Sequence, residues 1–186
     1  MKKFELTTKS ITNEAGKKLF RIKALIDFGD VKAGELGGYV EKEGNVSQDD
    51  NAWVSGDAEV FGNAKVSGNA KVFGNARVSG DALISGNAWV SGDALISGNA
   101  WVSGDARVYD NADYALVQGF GIKFRCTTFY RGKNEKIMVN CGCFHGDLEE
   151  FRKQVKETRS GKIAKEYLMI ADLMEYHFVS EDSGDE

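Results

Sequence analysis

From residue 51 to 110 the chain repeats one six-residue pattern ten times without an insertion or deletion. Each unit reads Asn or Asp, alanine, a variable residue, valine or isoleucine, a serine or aromatic, and a closing glycine that only Asp110 replaces. One aliphatic side chain per six residues fits neither the 3.6 period of a helix nor an extended alternating strand. In Trp53-Val54-Ser55-Gly56-Asp57-Ala58, a short strand points Val54 inward and its two neighbours outward. Gly56-Asp57 then turns the chain, and Ala58 fills the inside of the corner. The unit is an edge plus a corner, and three units close a triangle of eighteen residues. Spacing this regular predicts a solenoid.

Stacking by eighteen sets corner columns of Asn51, Asn69, Asn87, Asp105; of Asp57, Asn75, Asp93, Asn111; and of Asn63, Asp81, Asn99. No Asp then lies on another Asp, whereas a twelve-residue coil would stack Asp81, Asp93 and Asp105 at roughly 4.8 Å spacing. An aliphatic followed four residues later by alanine, as in Val54/Ala58, Val60/Ala64 and Ile84/Ala88, resembles the hexapeptide repeat of left-handed parallel β-helices. That resemblance implies the fold and its hand.

The flanks follow other rules. "KKFELTT" and "KKLFRIKAL" alternate around "NEAG" and predict an N-terminal hairpin cap over residues 1–30. Residues 31–50 read as an irregular first coil, with Val40 and Val46 six apart. Beyond the repeats, "GFGIKFRCTTFYRG" and "KIMVNCGCF" predict a second hairpin around "GKNE". Asp147 with Glu150 forms a capping box for a helix whose Leu148, Phe151 and Val155 share a face. A last helix carries Ile163, Tyr167, Ile170, Leu173, Met174 and Phe178. The expected fold is mainly β: a left-handed parallel β-helix over 31–118 with regular hexads at 51–110, a ββαα domain at 119–179, and an acidic, solvated tail at 180–186.

"RIKALIDFGDVKAGELGGYVEKEGNVSQDDNAWV" and "TTFYRGKNEKIMVNCGCFHGDLEEF" resemble hexapeptide-repeat proteins of bacteriophage and prophage genomes. Other members of this fold are acyltransferases that take coenzyme A or a nucleotide-linked donor between the subunits of a trimer. The resemblance implies the fold and does not settle the function.

Charge changes the picture little. The 24 Lys+Arg nearly balance 28 Asp+Glu, and four of the acids sit in "SEDSGDE", so no global field recruits extended nucleic acid. The start lacks the apolar core of a signal peptide and no run of eighteen apolar residues occurs, so the expectation is a cytoplasmic protein without membrane contact. Three cysteines fit reduced thiols better than a disulfide framework.

Candidate chemistry is sparse. The hexads hold no histidine to deprotonate an acyl acceptor; His145 and His177 lie outside them, the latter on a helix where a partly buried structural role is expected. In "CGCFH", Cys141, Cys143 and His145 alternate along one predicted strand with Cys126 opposite, a conceivable Cys3His zinc set that lacks the usual knuckle spacing. Small buried side chains are the plainer reading, and neither a metal nor another cofactor is expected.

The outward positions are more informative. One column reads Trp53, Lys71, Trp89, Arg107, with Ser55, Phe73, Ser91 and Tyr109 beside it; another reads Glu59, Arg77, Leu95, and a third Lys65, Leu83, Trp101. Aromatics at regular intervals need cover. Self-association, as a trimer, through Leu83, Leu95 and Trp101 would provide it. Trp53, Lys71, Phe73, Trp89, Arg107 and Tyr109 form the candidate binding platform, for a host protein or a small nucleotide. The expectation is a non-enzymatic oligomeric scaffold that blocks a host defence protein or sequesters a signalling nucleotide. An acyltransferase and a filament-forming component are the alternatives.

Overall fold

The computed structural model describes residues 2–178; the expected acidic tail lies outside them. The chain divides into two compact units, Met1–Asn111 and Ala112–Glu186.

The first unit is a β-solenoid. Each hexad contributes one two-residue strand, from β4 (Trp53–Val54) to β13 (Arg107–Val108). These strands stack in parallel with partners eighteen residues apart: Trp53, Lys71, Trp89 and Arg107 on one wall, Glu59, Arg77 and Leu95 on a second, Lys65, Leu83 and Trp101 on a third. All ten aliphatic positions and all ten corner alanines are 0–1% exposed, so the regular hexads turn only Val, Ile and Ala inward. Each coil donates to the next along the axis, as in Trp89 N–H to the Ala106 carbonyl at 2.9 Å.

The corners explain the alternation of Asn and Asp. The Asn51 side-chain amide donates to Asn69 Oδ1 at 2.9 Å, Asn69 to Asn87 at 3.0 Å, and Asn87 to Asp105 at 3.0 Å. Two further columns pass Asn63 to Asp81 and Asn75 to Asp93. An amide both donates and accepts, so it continues a ladder, whereas an ionised carboxylate only accepts and ends one. The glycine before each corner has positive φ, +65° at Gly86. A Cβ there would also come within 2.7 Å of the Gly104 backbone nitrogen.

At the N-terminus, β1 (Phe4–Thr12) and β2 (Lys18–Ala24) form the expected hairpin. It continues a wall: β2 pairs antiparallel with β3 (Leu36–Val40), which lies parallel to the strand at Glu59, making a six-stranded sheet. Val40 pairs with Val60 and Val46 with Val66, as an irregular first coil requires. Lys3 is buried, and its ammonium donates to the carbonyls of Asp50 and Ala52, both at 2.8 Å. Burial lowers its pKa, and the carboxylates of Asp50 and Asp49 oppose that shift.

In the second unit an antiparallel sheet orders the ten two-residue strands' successors, β14 (Tyr114–Phe120), β15 (Arg125–Arg131), β16 (Ile137–Cys141) and β17 (Phe144–Asp147), before α1 (Leu148–Thr158) and α2 (Gly161–Phe178). The expected ββαα is thus ββββαα, and two local causes account for it. Tyr114–Phe120, of which residues 114–118 fell in the expected solenoid, sets Ala115 and Val117 against the core of this unit and pairs with β15. Gly142, with φ +64°, turns the chain after Cys141, so one expected strand becomes a hairpin with a two-residue turn.

Asp147 caps α1 by accepting from the Glu150 N–H at 3.0 Å, while the Glu150 carboxylate accepts from the Asp147 N–H at 2.9 Å. Leu148, Phe151 and Val155 of α1 meet Ile170, Ala171, Met174 and Phe178 of α2 over Phe129 and Val139. Leu173, carried by the same helix, is 58% exposed. It lies roughly a third of a turn from the face's centre. No helix among the described residues is long and apolar enough to cross a membrane.

Candidate functional site

The predicted platform column exists as a column, but its members have different surroundings. Trp53 is only 4% exposed, because Phe4 and Phe28 meet its indole edge-on at centroid distances of 6.2 and 5.4 Å. Its indole N–H is buried with no acceptor among the described residues. Trp53 therefore belongs to the base of the solenoid and not to an open surface. Column arithmetic places a residue on a wall; it does not reveal which neighbouring segment folds over the first rung. "KKFELTT" and "IDFGD" supply that cover, and their phenylalanines were the available signal.

Further along the wall the platform is open. Trp89 is 38% and Tyr109 49% exposed. Phe73 meets Trp89 edge-on at 5.9 Å. The Lys71 ammonium lies 5.8 Å and the Arg107 guanidinium 4.6 Å from the centroid of the Trp89 ring, one rung to either side. Such contacts contribute roughly 0.5–1 kcal/mol at exposed positions and hold the indole in one place.

Both cations are already engaged. Lys71 pairs with Asp30 at 2.6 Å, and the hydrogen bond from its ammonium holds the Asp30 carboxyl below its usual range. Arg107 donates to the carbonyls of Asn87 at 3.1 Å and Ala106 at 2.8 Å. Asp30 was not among the expected site residues, since a loop acid forty-one positions away gives no periodic signal. A phosphate on this wall would have to displace these partners.

The apolar residues expected at an oligomer interface are exposed, Leu83 at 41%, Leu95 at 47% and Trp101 at 37%. They occupy two walls. Leu83 and Trp101 are direct neighbours and line a cleft of about 600 Å³ with Lys65 and the 43–49 segment. Leu95 stands on the wall of Glu59 and Arg77, where Arg77 also pairs with Glu14 at 2.6 Å.

The Cys3His set is not assembled. Cys141 pairs across β15 with Thr127, whose hydroxyl donates to the thiol sulfur at 3.1 Å. Cys126, one residue out of step, points to the opposite face of the sheet. Cys143 occupies the turn between β16 and β17, and beyond it Phe144 rather than His145 shares the side of Cys141. His145 pairs instead with Asn140, Nδ1 lying 2.6 Å from Oδ1. The inserted turn reverses the alternation on which the zinc set depended. No cluster of three or more metal-ligating side chains occurs among the described residues. Burial pushes the Cys126 thiol up, which keeps it protonated and poorly nucleophilic. His177, expected to be partly buried, is exposed on α2 and packs edge-on against Phe178 at 5.0 Å.

Stacked two-residue strands, a Val/Ile/Ala interior and glycine-Asx corners make this chain a β-solenoid repeat protein. A family model described as the YdcK beta solenoid repeat matches it at residues 70–86, 76–92 and 88–104, all inside the regular hexads. No match to a curated protein was found.

Proposed function

We propose that the protein is a non-enzymatic binding scaffold of the cytosol that docks a protein partner on the wall of Phe73, Trp89 and Tyr109. The observation that supports this reading is the exposed Trp89 ring held between Lys71 and Arg107, with the exposed Tyr109 on the same wall. Tyr, Trp and Arg dominate the residues that carry protein interfaces, and a pre-ordered indole loses little freedom on binding. The engaged state of Lys71 and Arg107 favours a protein over a nucleotide at this wall. The likeness of the flanking segments to bacteriophage proteins supports a host defence protein as that partner. Copies of the chain associate, as a trimer, through Leu83, Leu95 and Trp101.

Acyl transfer is the lesser reading, because the hexads carry no general base. Native mass spectrometry of the purified protein separates the readings. A trimer without a retained small molecule is expected; a retained nucleotide or acyl-coenzyme A would overturn the non-enzymatic protein-binding reading, and open-ended assembly would indicate a filament. Affinity capture from host extract, followed by reconstitution with the purified partner, should give a complex that Trp89→Ala weakens at least tenfold. An unchanged affinity would remove the wall from the interface.

A further inference from the structure

The second unit contains a cavity that the solenoid reading does not use. It has a volume of about 340 Å³ and lies among the β14–β15 hairpin tip, the Gly142–Cys143 turn and the facing sides of α1 and α2. We infer that it is a binding site for a small organic anion, a phosphate or carboxylate joined to an apolar ring.

Charge is the first argument. Lys123, Arg125 and Arg159 line the cavity, and among the described residues no carboxylate does. The other two arginines of this unit are each tied to acids. Arg131 pairs with Asp113 and Glu135, and Arg152 with Glu149, Asp172 and Glu175. Arg125 and Arg159, both at the cavity, have no ion-pair partner among the described residues. Arg159 makes one side-chain bond, to the adjacent Thr158 carbonyl at 3.0 Å. The Arg125 guanidinium lies against Gly142, in space that any larger residue at 142 would fill. This unit ties Arg131 and Arg152 to carboxylates and leaves Arg125 and Arg159, with Lys123, around one concavity. Planar guanidinium groups match phosphate and carboxylate oxygens in paired hydrogen bonds.

The apolar floor is the second argument. Phe144 and Phe151 pack at 5.5 Å, and Phe151 and Tyr167 at 5.8 Å, giving the cavity an aromatic base beneath its cationic rim. Burial raises the Tyr167 pKa, so its hydroxyl remains a donor, now directed to the Phe120 carbonyl at 3.3 Å. Ile122, 74% exposed, adds an apolar lip at the hairpin tip. The size falls at the lower end of small-molecule sites and suits one ring system with its anionic group. Cys143 sits at the edge of the same cavity and is exposed, which makes it a reporter of occupancy.

The test uses the full-length protein and the aromatic sulfonate 8-anilinonaphthalene-1-sulfonate as probe. Saturable fluorescence enhancement is expected, weakened by added salt. Arg125→Gln with Arg159→Gln should weaken binding about tenfold or more, given the usual contribution of hydrogen bonds to charged groups. Lys123→Gln, at an exposed tip, should give a smaller loss in the same direction and serves if the double variant is misfolded by circular dichroism. Bound probe should also slow iodoacetamide alkylation of Cys143 at least threefold, read by peptide mass spectrometry. Competition identifies the source: displacement by adenosine monophosphate and not by benzoate assigns an organic phosphate, and the reverse assigns a carboxylate. Displacement by inorganic phosphate as effective as by either would overturn the role of the apolar floor. Probe affinity unchanged in both variants, or Cys143 alkylated equally fast with and without probe, would overturn the site.

Discussion

The two units of this chain bury their apolar side chains in opposite ways. In the solenoid, ten aliphatics and ten alanines share the work equally, each within 1% of full burial and each in contact with its equivalents one coil away. In the second unit burial converges on Phe151, which touches Phe129, Phe144 and Tyr167 and sits in the cluster that joins both helices to the sheet. The first arrangement is redundant along its length, because each rung repeats the contacts of the last. The second depends on one aromatic that nothing replaces. The regular hexads turn no polar side chain inward, so they offer function only on their walls, whereas the mixed unit encloses a cavity.

Breaking the second unit at its centre should give the largest effect. Phe151→Ala is expected to cost about 3–5 kcal/mol and to lower the unfolding transition of residues 112–178 while amides of the solenoid keep their hydrogen-exchange protection. Loss of protection in both regions together would show that the two units unfold as one. In the solenoid, Gly86→Ala adds a close approach to Gly104 to a left-handed backbone that itself costs about 1–2 kcal/mol, and should cost more than that alone. The same substitution at Gly16, which has open space around it, should lack the crowding part of that cost.

Smaller effects sharpen the contrast between a ladder and a cap. Asn87→Asp places a carboxylate against that of Asp105 and removes the donor that reaches it. The expected loss is about 1 kcal/mol, shrinking in 1 M salt as the repulsion is screened. A loss independent of salt would mean that the lost hydrogen bond dominates.

At the start of α1, Asp147→Ala should cost about 1 kcal/mol by removing the cap. The Asp147 carboxyl is held below its usual range first by the Glu150 N–H and then by Lys136, Asp147 Oδ2 lying 2.9 Å from the ammonium. A depressed carboxyl pKa adds stability that is present above the ordinary aspartate value and is lost as pH falls through the folded value. The difference between wild type and Asp147→Ala, measured by denaturant titration, should therefore be full at neutral pH and narrow below about pH 4. A difference constant from pH 7 to pH 3 would contradict the charge-assisted cap.

Much of this molecule was legible in its residues because the repeat is its own control. Columns read at eighteen-residue spacing agree with every strand pairing from Trp53 to Val108, and the Asn/Asp order of the corners anticipates their ladders. The capping box at Asp147 was also readable, since a helix start is set by neighbours in sequence. The errors fall where one residue changes parity or where distant segments meet. Gly142 turned a strand into a hairpin and separated Cys141 from His145, and Phe4 and Phe28 covered Trp53.

The sequence by itself determined the coil length, the inward set of Val, Ile and Ala, and the wall on which each outward side chain stands, because hydrogen bonding between equal steps allows one register. Only the tertiary structure decided which of those outward residues remain open, which cations are already paired, and that Arg125 and Arg159 meet at one cavity. Exposure and pairing depend on segments far apart in the chain, whose approach no local period encodes.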